Sequence, residues 1–167
     1  MENGFMRLNL YFLLFMYLGI SVACGPVAAQ VAFSSNCPAL LIDVDTQSPE
    51  ELALICAGAE KTSAFFLSHG VEIKRQISIK LHDTGIRNHP AHIGLYSAKK
   101  DRIDLLTLDY AKHQCARQQP FGMPMNPALY TSFVAHEVAH AIADQNFANR
   151  DASLLAHEYL AYVAQLM

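Results

Sequence analysis

The sequence is short of charge and has no block of one sign. Charged residues are 16% of 167, the formal net charge is −3, and no Lys/Arg run appears. The electrostatic footprint of a nucleic-acid binder is therefore missing, and no nucleic-acid partner is expected. There is no internal repeat and no low-complexity linker, and the length is too small for two comfortable domains. With 52% apolar residues, disorder is excluded as well. The chain also lacks a clean apolar stretch of the roughly 20 residues that a spanning helix needs. Its main apolar run, Tyr11 to Ala23 (YFLLFMYLGISVA), has only thirteen.

What is present at the N-terminus is the pattern of an export signal. The helix breakers Gly25 and Pro26 follow the apolar run, and Val27-Ala28-Ala29 offers small residues for cleavage before Gln30. The expected organisation is a signal peptide over residues 1–29 and a single domain over 30–167. The mature protein is then secreted or periplasmic, with no stable membrane association. An uncleaved anchor is the alternative, because apolar residues continue with few breaks to Phe33; a lipid on Cys24 is another. Of four cysteines, Cys24 leaves with the signal, and Cys37, Cys56 and Cys115 remain. One disulfide, Cys37 with Cys56, plus one buried thiol suits an oxidising compartment. Three reduced core cysteines are the competing reading.

Local signals place the elements. Leu40 to Val44 (LLIDV) reads as a short strand. Ser48-Pro49-Glu50-Glu51 opens a helix with a hydroxyl cap, proline in the first turn and acids at the positive end, running to about Ser68. Val71 to His82 alternates, with Ile73, Ile77, Ile79 and Leu81 on one face, as a half-buried strand does. Residues 91–97 and 102–108 read as two further strands joined at Lys99-Lys100-Asp101. A short helix is expected over Asp109 to Arg117. Prolines 120, 124 and 127 then make an ordered loop. Asn126 caps the next helix, which runs to about Asn146, and Leu154 to Leu166 forms the last one. The predicted class is α+β: an N-terminal helix, a small antiparallel sheet, then two helices.

The penultimate helix carries VAHEVAHAIADQNF (134–147). Four residues advance about 400° on a helix, so His136 and His140 stand about 40° apart on consecutive turns. Two imidazoles so placed converge on one ion. Glu137 lies about 100° round from His136, near such an ion without binding it. A divalent metal lowers the pKa of its water from about 15.7 to near 7, and Glu137 is positioned to take that proton. His-Glu-x-x-His on a helix is thus a zinc site with its general base included. A match to three fixed positions arises by chance in roughly one or two per cent of chains with this His and Glu content. The bland reading is a pair of hydrogen-bonded core histidines. Against it, the flanking residues are small and apolar, and burying two unpaired imidazoles and a carboxylate there costs several kcal/mol.

For a third ligand the following helix offers AHEYLAYV, with Glu158 eighteen residues after His140. Asn146 excludes the metzincin arrangement, which needs histidine there and glycine at position 143. HEVAHAIAD (136–144), followed by a short connection and a glutamate on the next helix, resembles the gluzincin, thermolysin-like branch of the zincin metallopeptidases. The resemblance covers roughly residues 48–167, and its wording is similar to that of secreted zincin-like proteins of bacteria. It implies one Zn2+ held by His136, His140 and Glu158, with Glu137 catalytic. The wording differs at the ligand helix, where His157 precedes Glu158 and Ala161-Tyr162 replaces the usual Ser-Asp pair. The aspartate that orients a zinc histidine is absent from that place; Asp144 is one candidate substitute, and a surface helix residue is the other reading of it. His157 is the alternative third ligand. Tyr162, one turn past Glu158, is a candidate donor to a transition-state oxyanion. His82, His89 and His92 gather near a turn, as a second metal site or as solvated loop residues.

The expected function is an exported zinc metallopeptidase acting on a peptide or protein substrate. Its alternative is a catalytically inactive zincin-like metal-binding or protein-interaction module. A membrane-anchored protein with no metal requires the motif to be accidental.

Overall fold

The computed structural model describes residues 34–38, 40–116, 119–147 and 153–166, all within one unit, Ala32–Met167. The expected signal, its cleavage site and Cys24 lie outside the described residues. The strands are β1 (Ser34–Asn36), β2 (Ile42–Asp45), β3 (Ile77–His82), β4 (Gly94–Ser97) and β5 (Arg102–Leu106). The α-helices are α1 (Pro49–Ser68), α2 (Leu108–Cys115), α3 (Pro127–Phe147) and α4 (Leu154–Leu166). The class is α+β, as expected.

The sheet is mixed rather than antiparallel, in the order β1-β2-β3-β5-β4. β2 pairs parallel with β3, and β3 parallel with β5, while β1 and β4 run antiparallel at the two edges. The reason is α1. A helix between two neighbouring strands carries the chain back to its starting end, so the second strand repeats the direction of the first. β4 and β5, joined by a tight turn over Ala98–Lys100, form the hairpin that sequence adjacency suggests, and β1 with β2 form another antiparallel neighbour pair.

Caps fix the helix starts. Ser48 Oγ accepts from the Glu51 N–H at 3.2 Å, and Asn126 Oδ1 accepts from the Leu129 N–H at 2.9 Å. Thr107 Oγ1 caps α2 by accepting from the Tyr110 N–H, so β5 stops at Leu106 rather than at residue 108. The strand expected over Val71–His82 begins only at Ile77, where Ile42 of β2 comes alongside. Ahead of it, α3 claims the backbone: Gln145 Oε1 accepts from the N–H groups of Lys74 (2.8 Å) and Arg75 (3.0 Å), and its Nε2 donates to the Arg75 carbonyl.

α1 buries Ile55, Ala59, Thr62 and Phe66, a stripe of helical spacing that packs against α3. The approach to α3 is close. A Cβ on Gly58 would stand 2.7 Å from the Thr131 carbonyl oxygen and 3.0 Å from the Val134 side chain. α3 is buried on several sides, with Val134, Val138, Ala139, Ala141, Ile142 and Ala143 all closed to solvent. Cys37 and Cys56 form the expected disulfide, with Cα atoms 5.2 Å apart, and Cys115 is a free, buried thiol.

Candidate metal centre

Polar side chains on a helix as buried as α3 need partners, because an unsatisfied polar group in such a place is costly. His136 and His140 meet edge to face, ring centroids 4.7 Å apart, with their Nε2 atoms at 3.1 Å. α4 packs on this face and brings in Glu158, whose Oε2 lies 3.5 Å from His136 Nε2 and Oε1 3.4 Å from His140 Nε2. The three residues form the one group of metal-competent side chains found among the described residues, with candidate ligand atoms all within 4.8 Å of one another. Ligands about 2.0–2.1 Å from a tetrahedral zinc stand about 3.3–3.4 Å from each other. The observed spacings of 3.1 to 3.5 Å are close to those edges, with Glu158 facing each histidine through a different oxygen, so the group is of a size to hold a zinc ion.

Charge points the same way. Burial holds both imidazoles below the ordinary histidine pKa; for His140 the neighbouring His136 adds to it, and for both the Glu158 carboxylate opposes it. Burial thus favours the uncharged form of both rings, the form that has a lone pair to give. Among the described residues that line the cleft beside them, none is lysine or arginine. Two neutral imidazoles and a carboxylate facing one another without a cationic side chain make a donor set suited to a divalent metal.

Glu137 is only 7% exposed, and β4 holds it. Its Oε2 accepts from the Tyr96 N–H at 2.9 Å. Gly94 makes room for it: a Cβ there would sit 2.6 Å from Glu137 Cγ. Burial pushes the carboxyl up to about 7; the Tyr96 N–H pulls it down and Glu158 pushes it further up. A cation in the triad would draw it down again by Coulomb attraction.

The pairing of β4 sets what it shows to the cleft. The Leu106 N–H donates to the Ile93 carbonyl, and Leu95 lies opposite Asp104. Alternation along an antiparallel ladder then turns the N–H and C=O groups of Gly94 and Tyr96 outward, away from β5. The cleft encloses about 600 Å³, lined by Gly94, Tyr96, Phe121, Phe133, Glu137 and Tyr162 among others.

The other predicted residues take varied places. Tyr162 packs its ring edge-on to His136, centroids 4.8 Å apart, and lines the cleft. Asp144 also lines it, but accepts from the Tyr96 hydroxyl at 3.1 Å and faces Arg75 at 3.7 Å; no histidine ring is its partner. That hydroxyl is equally close to Asp101, which Arg75 clamps through two hydrogen bonds of 2.7 and 3.0 Å. His157 lines the cleft outside the triad. His82, His89 and His92 do not converge. His82 pairs with Asp104 at 2.8 Å, whereas His89 and His92 touch ring edge to ring face.

Sequence reasoning missed Gly94 and the Tyr96 N–H. Glycine inside a strand pattern signals close approach of another group, so Gly94 carried a usable hint. A backbone N–H carries none.

No curated protein and no solved structure matches the chain. One family model does, over residues 42–167, which take in β2 to α4, the triad and Glu137; its description is a family of unknown function (DUF6639). The chain belongs to that family.

Proposed function

We propose that this chain is an exported zinc-dependent metallopeptidase with the gluzincin ligand set, belonging to the zincin superfamily. The observation that carries the reading is the convergence of His136, His140 and Glu158 within 3.1 to 3.5 Å of one another beside the buried Glu137 carboxylate. His136, His140 and Glu158 would hold the zinc, which would supply a Lewis acid and lower the pKa of water towards neutrality. Glu137 takes the proton of the attacking water and returns it to the leaving amine, a role worth about 10² to 10⁴-fold. The Tyr96 N–H fixes which carboxylate oxygen faces the strand, leaving the other for proton transfer. Tyr162, packed on His136, is the candidate donor to the developing oxyanion.

The substrate lies along β4. β5 is paired on both sides, so it cannot accept a further strand, whereas β4 is an edge with outward backbone groups beside Glu137. An extended peptide adding to that edge brings its own carbonyls past the triad. Export is supported by the Cys37–Cys56 disulfide, a bond that persists in oxidising compartments. Among the described residues no helix is long and apolar enough to cross a membrane.

Two measurements test this. The purified protein should hold about one zinc per chain by elemental analysis, and Glu137→Gln should retain it. A library of unstructured peptides read by mass spectrometry should be cut by the wild type and left intact by that variant. Zinc held with nothing cut by either protein would leave the metal-binding or interaction module as the better reading. N-terminal sequencing of exported protein should begin at Gln30; a chain that still starts with its apolar run would establish the anchor.

A further inference from the structure

A histidine that gives Nε2 to a metal must carry its proton on Nδ1, and an acceptor for that proton fixes both the tautomer and the angle of the ring. The expected carboxylate for this task is absent from the ligand helix, and Asp144 is engaged with Tyr96 and Arg75. His136 shows the gap directly. Its Nε2 faces His140 and Glu158, while its Nδ1, on the opposite side of the ring, is buried and makes no hydrogen bond.

One side chain is arranged to fill it. Gln165 lies seven residues after Glu158 on α4, which is two turns and nearly the same face. The face that delivers Glu158 to one side of the triad therefore delivers Gln165 to α3 as well. Its carboxamide is fastened one turn before His136, where Nε2 donates to Ser132 Oγ at 3.2 Å. The Ser132 hydroxyl has a single proton, and it is spent on the Leu129 carbonyl at 2.7 Å. Ser132 can consequently only accept from Gln165, which settles the orientation of the amide: the NH₂ end is at Ser132, and the carbonyl oxygen is the free end. Gln165 lines the same cleft as His136.

We propose that Gln165 is the positioning residue of the metal centre: its Oε1 accepts the Nδ1–H of His136, with Ser132 and the Leu129 carbonyl holding the amide the right way round. This rests on the metal-site reading above. It names a neutral acceptor in place of a carboxylate, so replacing that acceptor by a charged one should strengthen the site and not weaken it.

The test uses the full chain, zinc alone as probe, and competition with a chromogenic chelator. Gln165→Leu should lower zinc affinity about ten- to a hundred-fold, the range for loss of a histidine's outer partner. Gln165→Glu, which keeps an acceptor, should bind zinc at least as tightly as wild type, and Ser132→Ala should fall between Leu and wild type. In the zinc-loaded wild type, NMR should show a slowly exchanging Nδ1–H on His136 that Gln165→Leu loses to solvent exchange. Thermal midpoints of the metal-free proteins separate these effects from misfolding. Equal zinc affinity for Gln165→Leu and wild type would overturn the assignment while leaving the metal site standing. A Gln165→Glu variant as weak as Gln165→Leu would overturn it too, since the role would then be packing. A wild type that takes no zinc would bring down the metal-site reading and this inference together.

Discussion

Edge strand β1 is three residues long and reads SSN; edge strand β4, across the sheet, reads GLYS and runs along the cleft. The chain leaving β1 is tied to α1 within one residue of the strand's end, by Cys37 with Cys56. Among the described residues no disulfide fastens β4, whose outer side meets the Glu137 carboxylate beside the triad: the Tyr96 N–H donates to it, and Gly94 packs over the same side chain. A short polar edge gives little template for another strand, and an edge with outward backbone groups beside a cleft gives a good one. The first edge is tied down by covalent chemistry, whereas the second is held by the Glu137 side chain.

The largest effect should come from cutting the tied edge loose. Replacing both Cys37 and Cys56 by serine opens a loop spanning a sequence separation of 19 and should cost about 3 kcal/mol of stability, read from urea midpoints. Zinc affinity of the folded protein should not change, because the triad lies on other elements; a large drop in affinity would mean the two edges are coupled. At the other edge, Gly94→Ala forces either β4 or the Glu137 carboxylate to move. Turnover should fall by about 100-fold, as for a displacement of about 1 Å at a reacting group, with zinc retained. An alanine variant as fast as wild type would show that the contact on Glu137 has no catalytic weight.

The smallest effect belongs to the middle of the sheet. Burial opposes ionisation of Asp104, but His82 and Arg102 more than offset it and hold the carboxyl below its ordinary value of 3.8. A depressed folded-state pKa contributes stability that is complete above the ordinary value and is lost as pH falls through the lowered one. Asp104→Asn should therefore cost about 1.5 kcal/mol at neutral pH, the scale of a hydrogen bond to a charged group. It should also flatten the loss of stability below about pH 4. A variant whose acid unfolding follows that of wild type would remove Asp104 from that account.

Sequence showed most clearly what is local. Ser48, Pro49 and Asn126 set helix starts through contacts within three residues, and the spacing of His136 and His140 follows from helix geometry alone. Strand direction was not legible, because it depends on where α1 returns the chain. Val71 and Ile73 continued the apolar alternation of β3, yet Gln145, some seventy residues away, decides that their segment is no strand. At the site, Glu158 was visible through its family resemblance. The contact of Tyr96 with Glu137 spans 41 residues of sequence and leaves no pattern. Asp144, one turn beyond His140, reads from sequence as a histidine's partner or as a surface helix residue, and what it meets instead is the Tyr96 hydroxyl from β4.

The close passage of α1 over α3 at Gly58 has a mechanical consequence. With room there for a hydrogen atom and little else, α3 is keyed to α1, and sliding or turning it would drive backbone into backbone. His136 and His140 are therefore carried by a helix locked against α1. Glu158 is not, because α4 packs mainly on α3 and only slightly on α1. On the proposed metal reading, any loosening of α4 would draw Glu158 away and leave the two histidines in place.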